Sequence, residues 1–130
     1  MLSSQDKAPP EWLHFSVPMV TVDQLIAEVR TRRSVRSSLI KIDVDGPEIA
    51  VLQGSDRSLA EGNDIYLLEA ALLDTDRGRI GEIVNHMTDR GFEIFDIIEP
   101  LFRPCDQVLW QMDLIFVPID SSYRSKRRHF

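Results

Sequence analysis

The amino-acid sequence predicts an α/β domain with a mostly parallel sheet and an antiparallel last strand. Stretches with apolar residues at helical spacing alternate along the chain with short, nearly continuous apolar runs. That alternation is typical of parallel strands connected by helices. The last connection, over residues 100–106, is a loop without a crossover helix. A parallel pairing needs such a crossover, so the fourth strand is expected to run antiparallel.

Each element follows from a local pattern. The first helix begins at Thr21, which forms a predicted capping box with Gln24, and its apolar stripe consists of Val22, Leu25, Ile26 and Val29. Further helical segments are predicted at Pro47–Gln53, Asp56–Ala60 and Ile80–Met87. The four predicted strands are Leu39–Val44, Ile65–Ala70, Phe92–Ile98 and Trp110–Val117. Residues 1–18 are expected to form an irregular lead-in, residues 19–119 the domain, and residues 120–130 a basic flexible tail.

Charge and composition narrow the function classes. All 21 acidic residues precede residue 121, and four of the 15 basic residues lie in the tail, so the body of the chain is strongly acidic. An acidic surface repels phosphate backbones, which argues against a nucleic-acid partner. Cys105 is the only cysteine, which excludes an internal disulfide. No apolar stretch is long enough for a membrane span, and we expect a soluble cytoplasmic protein.

Three carboxylates gather where the first strand meets the next helix, at Asp43, Asp45 and Glu48. In open α/β sheets, ligands bind beyond the carboxyl ends of the strands, so these residues are candidates for binding or catalysis. A carboxylate there can orient a substrate hydroxyl, accept its proton or hold a divalent ion. The structural alternative is that Asp45 forms a turn and Glu48 complements the helix dipole.

Two further residues adjoin this corner. Lys41 alternates with apolar residues in the first strand and either lines the site or pairs with a carboxylate at the surface. Glu69 ends a nearly continuous apolar run, where an acidic side chain needs a partner or a function. It is either a site residue or an ion-paired structural group.

The motifs resemble those of a known family, the FkbM-type S-adenosylmethionine-dependent methyltransferases. The resemblance extends from about Val20 to Pro118 and is carried by Thr21–Leu25, Ile40–Glu48, Val51–Gly54, Leu67–Glu69 and Gly91–Phe92. The sequence departs from the family pattern at Asp45, where Glu is more frequent, and at Pro47, where a small residue is usual. The resemblance implies the C-terminal half of a class I, Rossmann-like methyltransferase sheet.

The resemblance also implies roles for the corner. Asp43 and Glu48 would be catalytic, and Asp45, Glu69 and Lys41 would bind a small-molecule acceptor such as a sugar hydroxyl. S-adenosylmethionine would be the cofactor, and no metal site is expected.

The family's glycine-rich turn after the first strand is not found in the sequence, which contains six glycines and no G-x-G after a strand. Because of this absence we expect a fragment or degenerate copy that binds the cofactor weakly when alone. The resemblance implies that one edge of the sheet is open. Either the N-terminal half of the methyltransferase fold or self-association of the chain would have to cover this edge. The alternative is a non-catalytic remnant that acts as an interaction module through that edge.

Overall fold

The computed structural model describes residues 16–44, 46–72 and 80–125. Five helices are found in these ranges: α1 (Val22–Arg32), α2 (Glu48–Gln53), α3 (Asp56–Glu61), α4 (Ile80–Thr88) and the single turn α5 (Ser122–Ser125). The strands are β1 (Leu39–Ile42), β2 (Ile65–Ala71), β3 (Phe92–Phe102) and β4 (Leu109–Pro118). The predicted order of helices and strands is confirmed from α1 to β4, whereas the turn α5 was not predicted and lies in the segment expected to be a flexible tail.

The four strands form one mixed sheet in the order β1-β2-β4-β3. β1 and β2 pair in parallel, whereas β4 runs antiparallel to both of its neighbours, β2 and β3. The antiparallel last strand is thus as predicted. The expectation of mostly parallel pairing is not confirmed, because only one of the three strand pairs is parallel. β4 inserts between β2 and β3, so β3 points in the same direction as β2 without pairing with it.

β3 is longer than the sequence pattern predicted. It continues through Pro100 to Phe102, a segment we expected to be a loop. Three register shifts interrupt its pairing with β4, between Ile94 and Asp96, between Ile98 and Leu101, and between Leu101 and Phe102. Glu99, in the second of them, has a φ of 49°. β3 lies at the edge of the sheet and Pro100 falls within the second register shift, and prolines in sheets are found in edge strands and at such irregularities.

The core lies on one face of the sheet. Side chains from α2, α3 and α4 pack there against alternate residues of the strands, and the Tyr66 and Phe92 rings meet edge to face with centroids 5.6 Å apart. The cluster consists of Ile42, Leu52, Leu59, Tyr66, Leu68, Ala70, Ile83, Met87, Phe92, Met112, Leu114 and Phe116. The other residues of β2 are only partly buried. One face of the sheet is therefore closed, and the opposite face carries the site described below.

α1 begins with the predicted capping box: the Gln24 amide donates to the Thr21 hydroxyl and the Thr21 amide donates to the Gln24 side chain. Of its apolar stripe only Ile26 is buried, and Leu25 and Val29 are about half exposed. Arg30, near the end of α1, instead anchors the helix by pairing with the fully buried Asp64 just before β2. The helix is therefore held at its polar side, while Leu25 and Val29 of its apolar stripe remain about half exposed.

Candidate functional site at the carboxyl end of β1

A tight turn follows β1 and directs the chain into α2. Gly46 has a φ of 114°, a conformation that side chains other than glycine rarely adopt. Its amide donates to the carbonyl of Val44 at 2.7 Å and to Oε1 of Glu48 at 3.0 Å. The glycine and the first acidic residue of α2 therefore fix the turn together. Asp45, a predicted substrate-binding residue, lies outside the described residues.

Lys41 and Asp43 form an ion pair beside this turn, with Nζ and Oδ2 separated by 2.9 Å. Both side chains are about half exposed. The hydrogen bond from Lys41, together with one from the Glu69 carboxyl and the charge of Lys41, holds the pKa of Asp43 below its usual range. Asp43 is therefore an ionised, solvent-accessible hydrogen-bond acceptor. The same pairing raises the pKa of Lys41.

The sheet brings Glu69 to the same place. In the β1–β2 ladder, Lys41 lies opposite Leu67, so Glu69 is two residues further along β2, level with Asp43. Contact with the Glu69 carboxyl group is accordingly one of the causes that lower the pKa of Asp43. Three of the five predicted site residues, Lys41, Asp43 and Glu69, are thus brought together at the carboxyl ends of two parallel strands.

Glu48, which we predicted to be catalytic, is buried at the turn after β1. It is only 6 % exposed, and one carboxylate oxygen accepts the Gly46 amide. Its other oxygen, Oε2, is buried and has no hydrogen-bond partner in the described part of the chain. In this arrangement Glu48 shapes the turn, and its catalytic role stays a prediction.

Sequence reasoning missed Asp113. This residue lies on β4 directly opposite Glu69 and is 5 % exposed. Burial raises its pKa; the nearby Lys41 lowers it, and the charges of Glu99 and Asp43 raise it further. The available signal was an acidic residue inside the apolar run Trp110–Val117, which we interpreted only as a strand. The corner therefore contains a third carboxyl group from a third strand.

A groove between α1 and β1 adjoins the corner, with a volume of about 630 Å³. Its walls are apolar, and Lys41 and Asp43 are among the residues that line it. An apolar cavity with a few polar groups is the usual form of a small-molecule site. The groove follows the outer edge of β1, which has no neighbouring strand within the described ranges.

Two further features are absent from the described residues 16–44, 46–72 and 80–125, a metal-binding cluster and a membrane-spanning helix. No group of three or more His, Cys, Asp or Glu side chains there is arranged to hold a metal ion. No helix in this part of the chain has the length and apolar character that crossing a bilayer requires.

Comparison with known proteins agrees with the motifs. The model of the methyltransferase FkbM domain matches residues 12–94, which is more than half of the 130 residues and includes the corner from Lys41 to Glu48. No curated protein and no solved structure gives a significant match. On the strength of the family match, the chain belongs to the FkbM methyltransferase family.

Proposed function

We propose that this chain supplies the acceptor side of an S-adenosylmethionine-dependent O-methyltransferase that acts on a small-molecule or sugar hydroxyl. The observation that supports the proposal is Asp43, an ionised carboxylate paired with Lys41 at the carboxyl end of β1. It lies inside the segment that matches the family and borders an apolar groove.

Methylation of an alcohol removes the hydroxyl proton, so the acceptor oxygen needs a nearby hydrogen-bond acceptor. Asp43 is half exposed and can accept that hydrogen bond, which would orient the oxygen for attack. The ion pair with Lys41 stabilises the ionised form of this carboxylate and lowers its pKa. Glu48 and Gly46 hold the turn in which Asp43 sits. The chain's own residues therefore contribute orientation of the acceptor and removal of its proton.

The described residues do not fit the methionine end of the cofactor. A glycine-rich turn would provide backbone amides for its carboxylate, and none of the six glycines of the sequence forms a G-x-G after a strand. The amide of Gly46 is already used by Val44 and Glu48. We therefore assign no donor-binding step to these residues and expect calorimetry with S-adenosylhomocysteine to give weak binding, which is why the transfer assay below uses a millimolar donor concentration.

The test is methyl transfer from isotope-labelled S-adenosylmethionine, at millimolar concentration, to a panel of methyl glycosides and small polyols. We expect slow formation of methyl ethers by the chain and none by Asp43→Asn. Asp89→Asn, an exposed change at the end of α4, serves as the matched control and should behave as the unmodified chain. Absence of transfer to every acceptor, or equal transfer by Asp43→Asn, would contradict the proposal.

A second candidate function is an interaction module that pairs the β1 edge with an extended strand of another chain. The specific observation is the apolar groove beside that edge, where Leu25, Val29 and Leu39 are 45–66 % exposed. An exposed apolar edge is a template for strand addition. Light scattering after size-exclusion chromatography tests it: we expect self-association that Leu39→Lys abolishes, and a monomer at high concentration would count against it.

A further inference from the structure

Asp113 lies where a charged side chain is costly for the fold. β4 is an inner strand, paired with β2 on one side and β3 on the other, and Asp113 faces Glu69 across one ladder and Ile98 across the other. The residue is 5 % exposed. Burying a carboxylate is unfavourable unless it is compensated, and an apolar side chain here would avoid that penalty. Asp113 also lies beyond residue 94, outside the segment matched by the family model.

Lys41 offsets part of the cost of burying Asp113, although burial still leaves the pKa of that carboxyl raised. Its Nζ lies 3.9 Å from Oδ2 of Asp113 and 2.9 Å from Oδ2 of Asp43. The ammonium is thus shared by a half-exposed carboxylate on β1 and a buried one on β4. An exposed lysine–aspartate pair by itself holds its two flexible side chains only weakly. A second carboxylate, fixed on an inner strand, limits where the ammonium can go.

We propose that Asp113 is a positioning residue of the acceptor site, which holds the Lys41 ammonium beside Asp43. The inference rests on the proposed function, since it assigns Asp113 a role in the same site. It extends the site from two parallel strands to the antiparallel strand β4. The charged groups around Asp113 are Lys41 and Asp43 from β1, Glu69 from β2 and Glu99 from β3.

The direction in which Asp113→Asn moves the pKa of Asp43 distinguishes a positioning role from a simple charge effect. If Asp113 acted only as a nearby negative charge, Asp113→Asn would relieve repulsion and lower the pKa of Asp43. If Asp113 positions Lys41, the same change releases the ammonium and raises the pKa of Asp43. We expect the second result, together with faster motion of the Lys41 ammonium.

The experiment is an NMR titration of the whole chain that follows the Asp43 carboxyl carbon and the Lys41 Nζ. Asp89→Asn is the matched control and should leave both signals unchanged. Because a change in folding could itself disturb the signals, the comparison of Asp113 with Asp113→Asn is repeated in a chain that carries Lys41→Met. Without an ammonium to position, Asp113→Asn should then lower the pKa of Asp43. An unchanged or lower pKa of Asp43 in the single variant would overturn the proposal.

The outcome is independent of the methyl-transfer assay. A raised pKa of Asp43 without methyl transfer to any acceptor would support the positioning role and contradict the proposed function. Methyl transfer with an unchanged or lowered pKa of Asp43 in Asp113→Asn would support the function and contradict the positioning role.

Discussion

Replacing Arg30 by Met should lower the free energy of unfolding by about 3 kcal/mol. Arg30 lies on α1, and its partner Asp64 lies far along the sequence, just before β2. Arg30 donates to both oxygens of Asp64, at 3.0 and 3.2 Å, and also pairs with Glu61. Asp64 is fully buried, and it also accepts a hydrogen bond from the Ser38 backbone amide at 2.8 Å. Removing the guanidinium would leave an uncompensated buried carboxylate.

The magnitude follows from the burial of the pair. Removing one partner of a buried ion pair costs about 3–5 kcal/mol. The Arg30 side chain is 23 % exposed, so water can partly replace it, and the lower end of that range applies. Asp64→Asn should cost about 1–2 kcal/mol, because the amide oxygen can still accept the Ser38 amide. The double variant Arg30→Met/Asp64→Asn has no unpaired buried charge at this position and should be more stable than Arg30→Met alone.

Urea unfolding followed by circular dichroism measures all three variants, provided that the transition is two-state. Arg32→Met is the matched control, since this neighbouring arginine is 75 % exposed and pairs only with Glu28 on its own helix. The control should change the free energy of unfolding by less than about 0.5 kcal/mol. A loss below about 1 kcal/mol for Arg30→Met, or a double variant less stable than that single one, would refute the reasoning.

Three other predictions, on a buried hydroxyl, a glycine turn and a partly buried histidine, are tested by the same unfolding measurement. Tyr66→Phe should cost about 1 kcal/mol, because the buried hydroxyl lies 2.6 Å from that of Ser58; no loss would refute this bond. Gly46→Ala should cost about 1–3 kcal/mol because of its φ of 114°, whereas Gly81→Ala in α4 meets open space and should be neutral or stabilising. Burial, with the charge of Arg90 as the next cause, lowers the pKa of His86 from 6.5, so the unfolded chain binds this proton first and stability should fall as pH drops below about 6.5. His86→Gln should reduce that loss, and an unchanged pH dependence would contradict it.

Local sequence patterns predicted the helix cap, the start of β1 and the acidic turn, because each of these features depends on residues close together in the chain. The capping box at Thr21 and Gln24 is present as expected, because both of its hydrogen bonds join residues three apart. β1 begins at Leu39 as predicted and ends two residues early, at Ile42, where the chain turns towards Gly46. The acidic turn after this strand was recognisable because strand, glycine and helix start are adjacent in the sequence.

Features set by pairing between distant segments could not be predicted in this way. Asp113 joins the corner only because β4 inserts beside β2 with Asp113 opposite Glu69, a register that no local pattern specifies. The extension of β3 through Pro100 likewise depends on its position at the sheet edge. The apolar stripe of α1 correctly predicted a helix, but its spacing did not show that Leu25 and Val29 would remain half exposed.

The two candidate functions are coupled, because the groove and the corner share residues. Lys41 and Asp43 line the groove beside the β1 edge and also form the ion pair of the proposed acceptor site. A strand that pairs with β1 would therefore cover or reorient this pair. We expect the Lys41 Nζ signal to shift over the same concentration range in which light scattering detects association, and the shift to disappear in Leu39→Lys. Association without any change at Lys41 would place the contact elsewhere, for example on the exposed β3 edge, and would leave the acceptor site open in the assembled form.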